Sequence, residues 1–256
     1  MLLALTRDVS PAMASCELTH LARVPIDPAV AVRQHRQYEE ALERLGCRVE
    51  HVPPAPELPD SVFIEDTAVV VDEVAVMSRP GAESRRPEVE AVAMVLRRYR
   101  PLATITEPGM LDGGDVLRVG RVLYVGQSGR TNDEGIAQLR GHLAPLGYEV
   151  RAVRPTGCLH LKTAVTAVSD HAVVLNPAWI SPAFFDGFDV IAVDPLEPFA
   201  ANVVRVGSAV LTATAFPRTR RILEASGAEV HVVDVSELAK AEGAVTCCSL
   251  LLSVER

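Results

Sequence analysis

Two adjacent cysteines near the end of the chain are the first candidates for chemistry. Cys247 and Cys248 stand in GAVTCCSLLLSV, residues 243–254, where an apolar run follows them. A disulfide between neighbours would be strained against the Cα separations that disulfides prefer, and no C-x₂-C pair supports a structural zinc site. Packing in the core and nucleophilic catalysis both stay open. On a strand the two thiols would face opposite sides, so one would face a pocket.

The histidine of LHLK, residues 159–162, could act with such a thiol. Leu159 and Leu161 flank His160, so on a strand the imidazole faces away from both leucines. Near neutral pH an imidazole exchanges protons with a thiol or a leaving group. Cys158 would share the face of the imidazole, which makes it a rival nucleophile by position.

The segment LDGGDV, residues 111–116, offers a carboxylate for the imidazole. Asp112 or Asp115 could orient the ring and stabilise its cationic form. The two glycines between them allow a close approach of the backbone, or they form a bulge. The sequence alone does not choose between the two acids.

A second acidic segment, PDSVFIED, carries Asp60, Glu65 and Asp66 around apolar residues, which is unusual for a solvated run of charge. Carboxylates that are drawn into a pocket need a partner, because unpaired burial of charge is costly. A guanidinium group fits best, since its planar N–H fork pairs with carboxylates in bidentate fashion. Arg85 and Arg130 could hold a carboxylate at the other end of the ligand. These residues predict a guanidino amino acid as the small-molecule partner.

Composition limits the classes of protein that come into question. The chain has 256 residues, of which 48% are hydrophobic, and a formal net charge of −8. The negative charge argues against nucleic acid as a partner, and the apolar runs are far shorter than the roughly 20 residues that cross a bilayer. Five cysteines, an odd number, indicate reduced thiols. We therefore expect one catalytic domain over residues 1–256, in the cytoplasm, as a monomer or a homodimer.

A repeat supplies the framework for these residues. Four segments each hold an apolar run, a short polar turn and a second apolar run, which is typical of a β-hairpin. They recur at intervals of roughly 40–50 residues, as in ring-like repeat proteins. Helical patterns, followed by further β-rich runs, fill the gaps after most of them. The four segments are residues 63–86, 111–135, 159–179 and 201–221.

A fifth unit begins at VTCCSLLLSV, and the N-terminal MLLALTR can pair with it. Such pairing would close the ring and remove exposed sheet edges, whereas an open α/β sheet is the alternative. In a closed ring, equivalent residues of different units meet at the axis. The residues at that position are Glu65, Asp66, Asp112, Asp115, His160, Asn202 and Cys247.

Taken together, the motifs PDSVFIED, RPGAESRR, LDGGDVL, RTN, LHLK and TCCS resemble those of the dimethylarginine dimethylaminohydrolases, in their order and spacing along nearly the whole chain. The resemblance implies a five-bladed α/β propeller with a central active site. By motif position it implies Cys247 as nucleophile, His160 as general acid and base, and Asp112 as the partner of the imidazole. The residues that it implies for substrate binding are Asp60, Glu65, Asp66, Arg85, Arg130 and, in a mobile lid, Leu18.

The implied reaction is hydrolysis of Nω-methylated arginines to citrulline and methylamines through a covalent thiouronium on the cysteine, with no metal and no cofactor. Methyl groups in a pocket shift preference by only about 1–3 kcal/mol, so the motifs do not rank dimethylarginine, monomethylarginine and arginine. Hydrolysis of another guanidino compound, as in arginine deiminases, and a non-catalytic guanidino sensor are the alternatives.

Overall fold

Fifteen strands form five three-stranded sheets in the computed structural model, which describes residues 1–254. The strands are β1 (Leu2–Thr6), β2 (Cys47–His51), β3 (Ala68–Val70), β4 (Ala75–Met77), β5 (Leu102–Thr104), β6 (Val116–Val119), β7 (Val122–Gly126), β8 (Glu149–Val153), β9 (Val165–Ala167), β10 (Ala172–Leu175), β11 (Asp189–Ala192), β12 (Val204–Val206), β13 (Ala209–Ala213), β14 (Glu229–Val233) and β15 (Leu250–Ser253). The helices of this part of the chain are α1 (Pro28–Arg44), α2 (Glu88–Leu96), α3 (Asp133–Leu143), α4 (Leu161–Ala164), α5 (Pro217–Ala225) and α6 (Ser236–Ala239).

Every sheet repeats one pattern. An antiparallel pair, such as β3 with β4, is followed by a third strand, β5, that runs parallel to the middle strand. A parallel neighbour requires a crossover connection, and α2 provides it here. The sequence therefore predicted the repeating unit and its hairpins correctly.

One sheet joins the two ends of the described chain. β1 lies between β15, to which it is antiparallel, and β2, to which it is parallel. Leu3 pairs with Leu252 in this register, so the prediction that the N-terminal strand closes the ring is confirmed. The first strands of the hairpins, β3, β6, β9 and β12, together with β15, line a single axial cavity of about 270 Å³.

Apolar side chains from neighbouring sheets pack against each other between the blades. One buried cluster contains Leu3 and Leu5 of β1 together with Met77 of the next blade and Leu96 of α2. Fully burying side chains of this size contributes about 1.5–3 kcal/mol each. The blades are therefore fixed to one another, so residues at their inner ends hold constant positions around the axis.

The sequence signals for the start of a helix, a capping acid followed by proline, are confirmed at α1. The Asp27 carboxylate accepts hydrogen bonds from the N–H groups of Ala29 and Val30, and Pro28 begins α1. The unit containing β9 to β11 differs, since a short 3₁₀ turn, Pro182–Phe185, stands where other units have a helix.

No helix formed by residues 1–254 combines the length and the apolarity needed to cross a membrane.

Candidate active site

A small cavity of about 20 Å³ brings together the thiol of Cys247, the imidazole of His160 and the carboxylate of Asp66. Their chain neighbours Glu65 and Thr246 line the axial cavity on the other side instead. One layer of residues thus separates the two cavities, and successive residues in it face opposite ways. The predicted convergence of distant segments at the axis is present in the structure.

Cys247 lies in a 3₁₀ turn, Thr246–Cys248, that directly precedes β15. The expectation that the cysteine pair belongs to a strand is therefore wrong, but the two thiols still face different surroundings, as expected. Cys247 lines the small cavity, whereas Cys248 is fully buried and its Sγ lies 3.5 Å from the carbonyl oxygen of Ala244. The backbone N–H of Thr246 donates to Asn202 at 3.0 Å, which fixes the turn.

His160 stands at the N-terminal cap of α4 and not within a strand, which corrects the strand assignment of LHLK. Its Nε2 lies 3.1 Å from Oδ2 of Asp112, and its Nδ1 lies 3.9 Å from Oδ1 of Asp66. A Cβ at Gly114 would lie 2.6 Å from that Nδ1. Glycine is required there because the backbone passes directly against the imidazole.

The structure distinguishes the candidates that the sequence left open. Asp112 contacts the imidazole, whereas Asp115 accepts hydrogen bonds from the Leu161 N–H at 2.9 Å and the Ser128 hydroxyl at 2.6 Å. Asp115 thus anchors the segment that carries the histidine. Cys158, the rival thiol, lines a different and larger cavity of about 550 Å³.

Arg85 is buried, and its guanidinium group already has acidic partners. It donates to Asp66 at 2.6 Å and pairs with both carboxylate oxygens of Glu88 at 2.9 and 3.1 Å. It also donates to the carbonyl oxygen of Phe63 at 3.0 Å. Although Arg85 lines the small cavity, binding a substrate carboxylate would require it to exchange some of these partners. That role stays a prediction.

Glu65 does not line the small cavity. Its carboxylate accepts a hydrogen bond from Lys162 at 2.5 Å and another from Thr246 at 2.7 Å. Burial raises the pKa of Glu65, and Lys162 opposes that increase. In this structure Glu65 supports the turn of Cys247 from the side of the axial cavity, through its hydrogen bond from Thr246. Its contact with the substrate stays a prediction.

Asp60 and Arg130, whose role in substrate binding stays a prediction, line the small cavity, and both contact residues 17–21. Asp60 accepts a hydrogen bond from the Glu17 N–H at 3.1 Å, and Arg130 donates to the Thr19 hydroxyl at 3.0 Å. Leu18, the predicted lid residue, is half-buried against the apolar cluster that includes the nucleophile. We name residues 17–21 the cover segment.

Electrostatics assign protonation states to the ligand-free site. Burial lowers the pKa of His160, but Asp66 and Asp112 outweigh it and raise the value to about 9. Burial, reinforced by Glu65 and Asp66, raises the pKa of Cys247 to about 12. Burial also raises the pKa of Asp66, but His160 and Arg85 bring it down to about 2. Near neutral pH the site therefore contains a neutral thiol, an imidazolium and an ionised Asp66.

Three of these groups, Asp66, Asp112 and His160, place one potential ligand atom each within 4.8 Å of one another, as a metal site would. Here the Asp66 carboxylate is paired with Arg85, and the imidazole is hydrogen-bonded to Asp112. The guanidinium group of Arg85 thus already neutralises Asp66, and the imidazolium of His160 neutralises Asp112. The expectation of a metal-free enzyme stays a prediction.

Several lining residues were not predicted from the sequence. Glu17, Phe63, Ala241, Glu242 and Gly243 form the remaining wall of the small cavity, together with Leu159. The glycine is required because a Cβ there would collide with the ring of Phe63. Gly243 was a signal for this turn, since glycine is common shortly after the end of a helix.

Comparison with known proteins agrees with this geometry. The sequence model of the family "N,N dimethylarginine dimethylhydrolase, eukaryotic" matches residues 24–252. An N(G),N(G)-dimethylarginine dimethylaminohydrolase of Streptomyces coelicolor is 43% identical, over 97% of this chain and 96% of its own length. The corresponding protein of Pseudomonas aeruginosa is 36% identical, over 88% and 89%.

One solved structure of the Pseudomonas aeruginosa protein is a cysteine-to-serine mutant complexed with citrulline. It superimposes on this chain with a TM-score of 0.93 at 33% identity, and the match covers 97% of this chain and 98% of that one. Another solved structure, of a dimethylarginine dimethylaminohydrolase with a histidine-to-glycine mutation in an adduct with S-methyl-L-thiocitrulline, also gives a TM-score of 0.93 at 33% identity. It covers 98% of this chain and 100% of that one. This confirms the predicted five-bladed α/β propeller. The chain belongs to the dimethylarginine dimethylaminohydrolase family.

Proposed function

We propose that the protein hydrolyses Nω-methylated arginines to citrulline and methylamines, with Cys247 as nucleophile. The observation that carries the proposal is the single cavity that Cys247, His160 and Asp66 share, with Asp112 behind the imidazole. Thiol, imidazole and acids in one enclosed place serve nucleophilic catalysis on a cation. Relatives with this sequence pattern carry the same activity in their names.

Binding of the cation changes the charge state of the thiol in this mechanism. Glu65 and Asp66 contribute to the raised pKa of Cys247. A bound guanidinium group offsets their negative charge, which lowers the pKa of the thiol and favours release of its proton to solvent. The nucleophile therefore forms when the substrate is present, and the free thiol is protected from side reactions.

The first chemical step breaks the bond from the guanidinium carbon to the methylated nitrogen. The thiolate of Cys247 attacks that carbon, and the sulfur–carbon bond forms. The imidazolium of His160 gives its proton to the methylated nitrogen, which leaves as an amine. A positively charged thiouronium remains on the sulfur. Asp66 stabilises the positive charge through both states, and the enclosed site strengthens that interaction.

The second step uses the now neutral imidazole. His160 takes a proton from water, the resulting hydroxide attacks the thiouronium carbon, and the sulfur–carbon bond breaks. The remaining proton of the attacking oxygen passes to the departing sulfur, so the products are citrulline, the neutral thiol of Cys247 and the imidazolium of His160. Asp112 supports the imidazolium in both steps through its hydrogen bond to Nε2. Asp60 and Arg130 are the proposed ligands of the amino and carboxylate groups of the substrate.

Product analysis with asymmetric dimethylarginine, monomethylarginine and arginine tests the proposal. We expect citrulline together with dimethylamine or methylamine, and a covalent adduct on Cys247 that mass spectrometry detects after rapid quenching. Ammonia from arginine as the preferred product would favour a deiminase instead. Ligand binding without any citrulline or adduct would favour a sensor and contradict the proposal.

Three further expectations accompany this function. We expect a single catalytic domain over residues 1–256, a cytoplasmic location, and a monomer or a homodimer. Limited proteolysis, fractionation of cells and analytical ultracentrifugation measure them in turn. None of the three affects the chemistry proposed for the site.

A further inference from the structure

The cover segment closes the small cavity. Glu17 contributes to its wall, and the neighbouring Thr19 is held by Arg130. The space left inside is about 20 Å³, which is little more than the volume that one water needs. A ligand of the size of arginine therefore enters only if the cover segment moves away.

Glu242 makes the densest contact with this segment. Its carboxylate accepts hydrogen bonds from three successive backbone N–H groups, those of Thr19 at 2.9 Å, His20 at 2.5 Å and Leu21 at 2.6 Å. Hydrogen bonds to a charged acceptor are shorter and about twice as strong as neutral ones. The acid and the segment are 221–223 positions apart in the sequence, so this contact exists only in the folded protein.

The backbone of Glu242 is in an unusual conformation. Its φ is +58°, and it is the non-glycine residue with positive φ in the described part of the chain. L-residues with long side chains rarely adopt this region, and such outliers gather at clamps and switches. Gly243 follows directly and packs against Phe63, which fixes the turn. The strained turn thereby directs the carboxylate toward the cover segment.

The other anchors of the segment differ in kind. Asp60 and Arg130 also hold it, but both are proposed ligands of the substrate. Ser84 donates to the side chain of Glu17 at the surface. Glu242 is therefore the anchor that can stay in place while Asp60 and Arg130 turn to the substrate.

We infer that Glu242 is a latch, a positioning residue whose carboxylate holds the cover segment closed over the catalytic cavity. The inference rests on the proposed function for what enters the cavity, but the closure itself does not depend on it. Opening requires that three amide hydrogen bonds break together. Reclosing encloses the bound substrate and excludes bulk water from the covalent intermediate.

Hydrogen–deuterium exchange of the ligand-free protein tests the latch. Glu242→Gln keeps the size and the backbone strain, but it removes the charge and replaces one acceptor oxygen by a donor. Glu242→Gly removes the carboxylate and relieves the strain. We expect both variants to speed exchange at residues 19–21 at least tenfold, while amides of β13 exchange as before. Glu224→Gln, at an exposed acid of α5 that pairs with Arg220, is the matched control and leaves exchange unchanged.

Exchange at residues 19–21 that stays slow in Glu242→Gln overturns the inference. Faster exchange in Glu242→Gly alone also overturns it, because the backbone turn and not the carboxylate would then hold the segment. Turnover adds a second measurement, in which we expect Glu242→Gln to raise KM more than it lowers kcat. Failure of the proposed function would remove turnover from every variant, yet it would leave the exchange result intact.

Discussion

Replacing Asp112 by asparagine tests whether a carboxylate sets the charge of the catalytic imidazole. Burial lowers the pKa of His160, but Asp66 and Asp112 raise it above its usual 6.5 to about 9, which corresponds to about 3 kcal/mol in favour of the imidazolium. Hydrogen bonds to charged groups contribute about 1.5–3 kcal/mol. We therefore expect Asp112→Asn to lower the pKa of His160 by about one to two pH units.

NMR titration of protein labelled with ¹³C-histidine measures that pKa directly. The signal that disappears in His160→Gln identifies the residue. Asp72→Asn is the matched control, since Asp72 is an acid paired with Arg118 at the surface, away from the site. A folded Asp112→Asn protein in which the pKa of His160 stays near 9 would refute the assignment of Asp112 as its partner.

The same variant changes stability in a defined pH window. A raised pKa of a basic group stabilises the folded state fully below the unfolded value, here 6.5, and the stabilisation disappears as pH rises to about 9. Urea unfolding at intervals across that window should show a smaller loss of stability for Asp112→Asn than for the wild type. We also expect kcat to fall by about 10²–10⁴-fold, the usual contribution of acid–base catalysis.

Three further substitutions test other parts of the site. Cys247→Ser should abolish formation of citrulline while calorimetry still detects ligand binding, whereas Cys248→Ser, at a position outside the cavity, should keep most of the activity. Lys162→Met leaves Glu65 without its cation, so urea unfolding should show a loss of about 3–5 kcal/mol. Gly114→Ala places a methyl group against the imidazole, and we expect kcat to fall at least 100-fold in a steady-state assay.

Each of these substitutions has its own control. Full activity of Cys247→Ser would contradict the assignment of Cys247 as the nucleophile. Adding Glu65→Gln to Lys162→Met should recover much of the lost stability, and an unchanged deficit would show that the charge is not its cause. Gly141→Ala is the partner of the glycine variant, because a Cβ at this position in α3 meets no atom within 4 Å. Equal losses in both glycine variants would contradict the close approach.

The repeat made most of the architecture predictable. Alternating apolar runs and turns recur in each unit because every blade must bury the same two faces, and β15 could be matched to β1 because one unit lacked a strand. The local backbone geometry of the site was harder to predict from the sequence. His160 stands between two leucines, and Cys247 lies just before a long apolar run, so both look like strand residues, yet both lie at short helical turns. Tertiary packing at the axis, which periodicity does not report, bends the chain there.

Charge partners were the other part that sequence could not supply. Arg85 is committed to Glu88 and Asp66, and Glu65 to Lys162, through contacts between blades or between a loop and a helix. Nothing in the order of the residues states which acid meets which base. Glu242 was overlooked for a similar reason, because a lone acid near a surface helix usually stays solvated.

Closure of the ring has a consequence for how activity is acquired. The turn that carries Cys247 leads directly into β15, and β15 takes its place only by pairing with β1 from the opposite end of the described chain. A nascent chain that has not yet produced β15 therefore has its imidazole and acids but no organised sulfur. Reactive capacity therefore arrives in one event, when the seam between β15 and β1 forms.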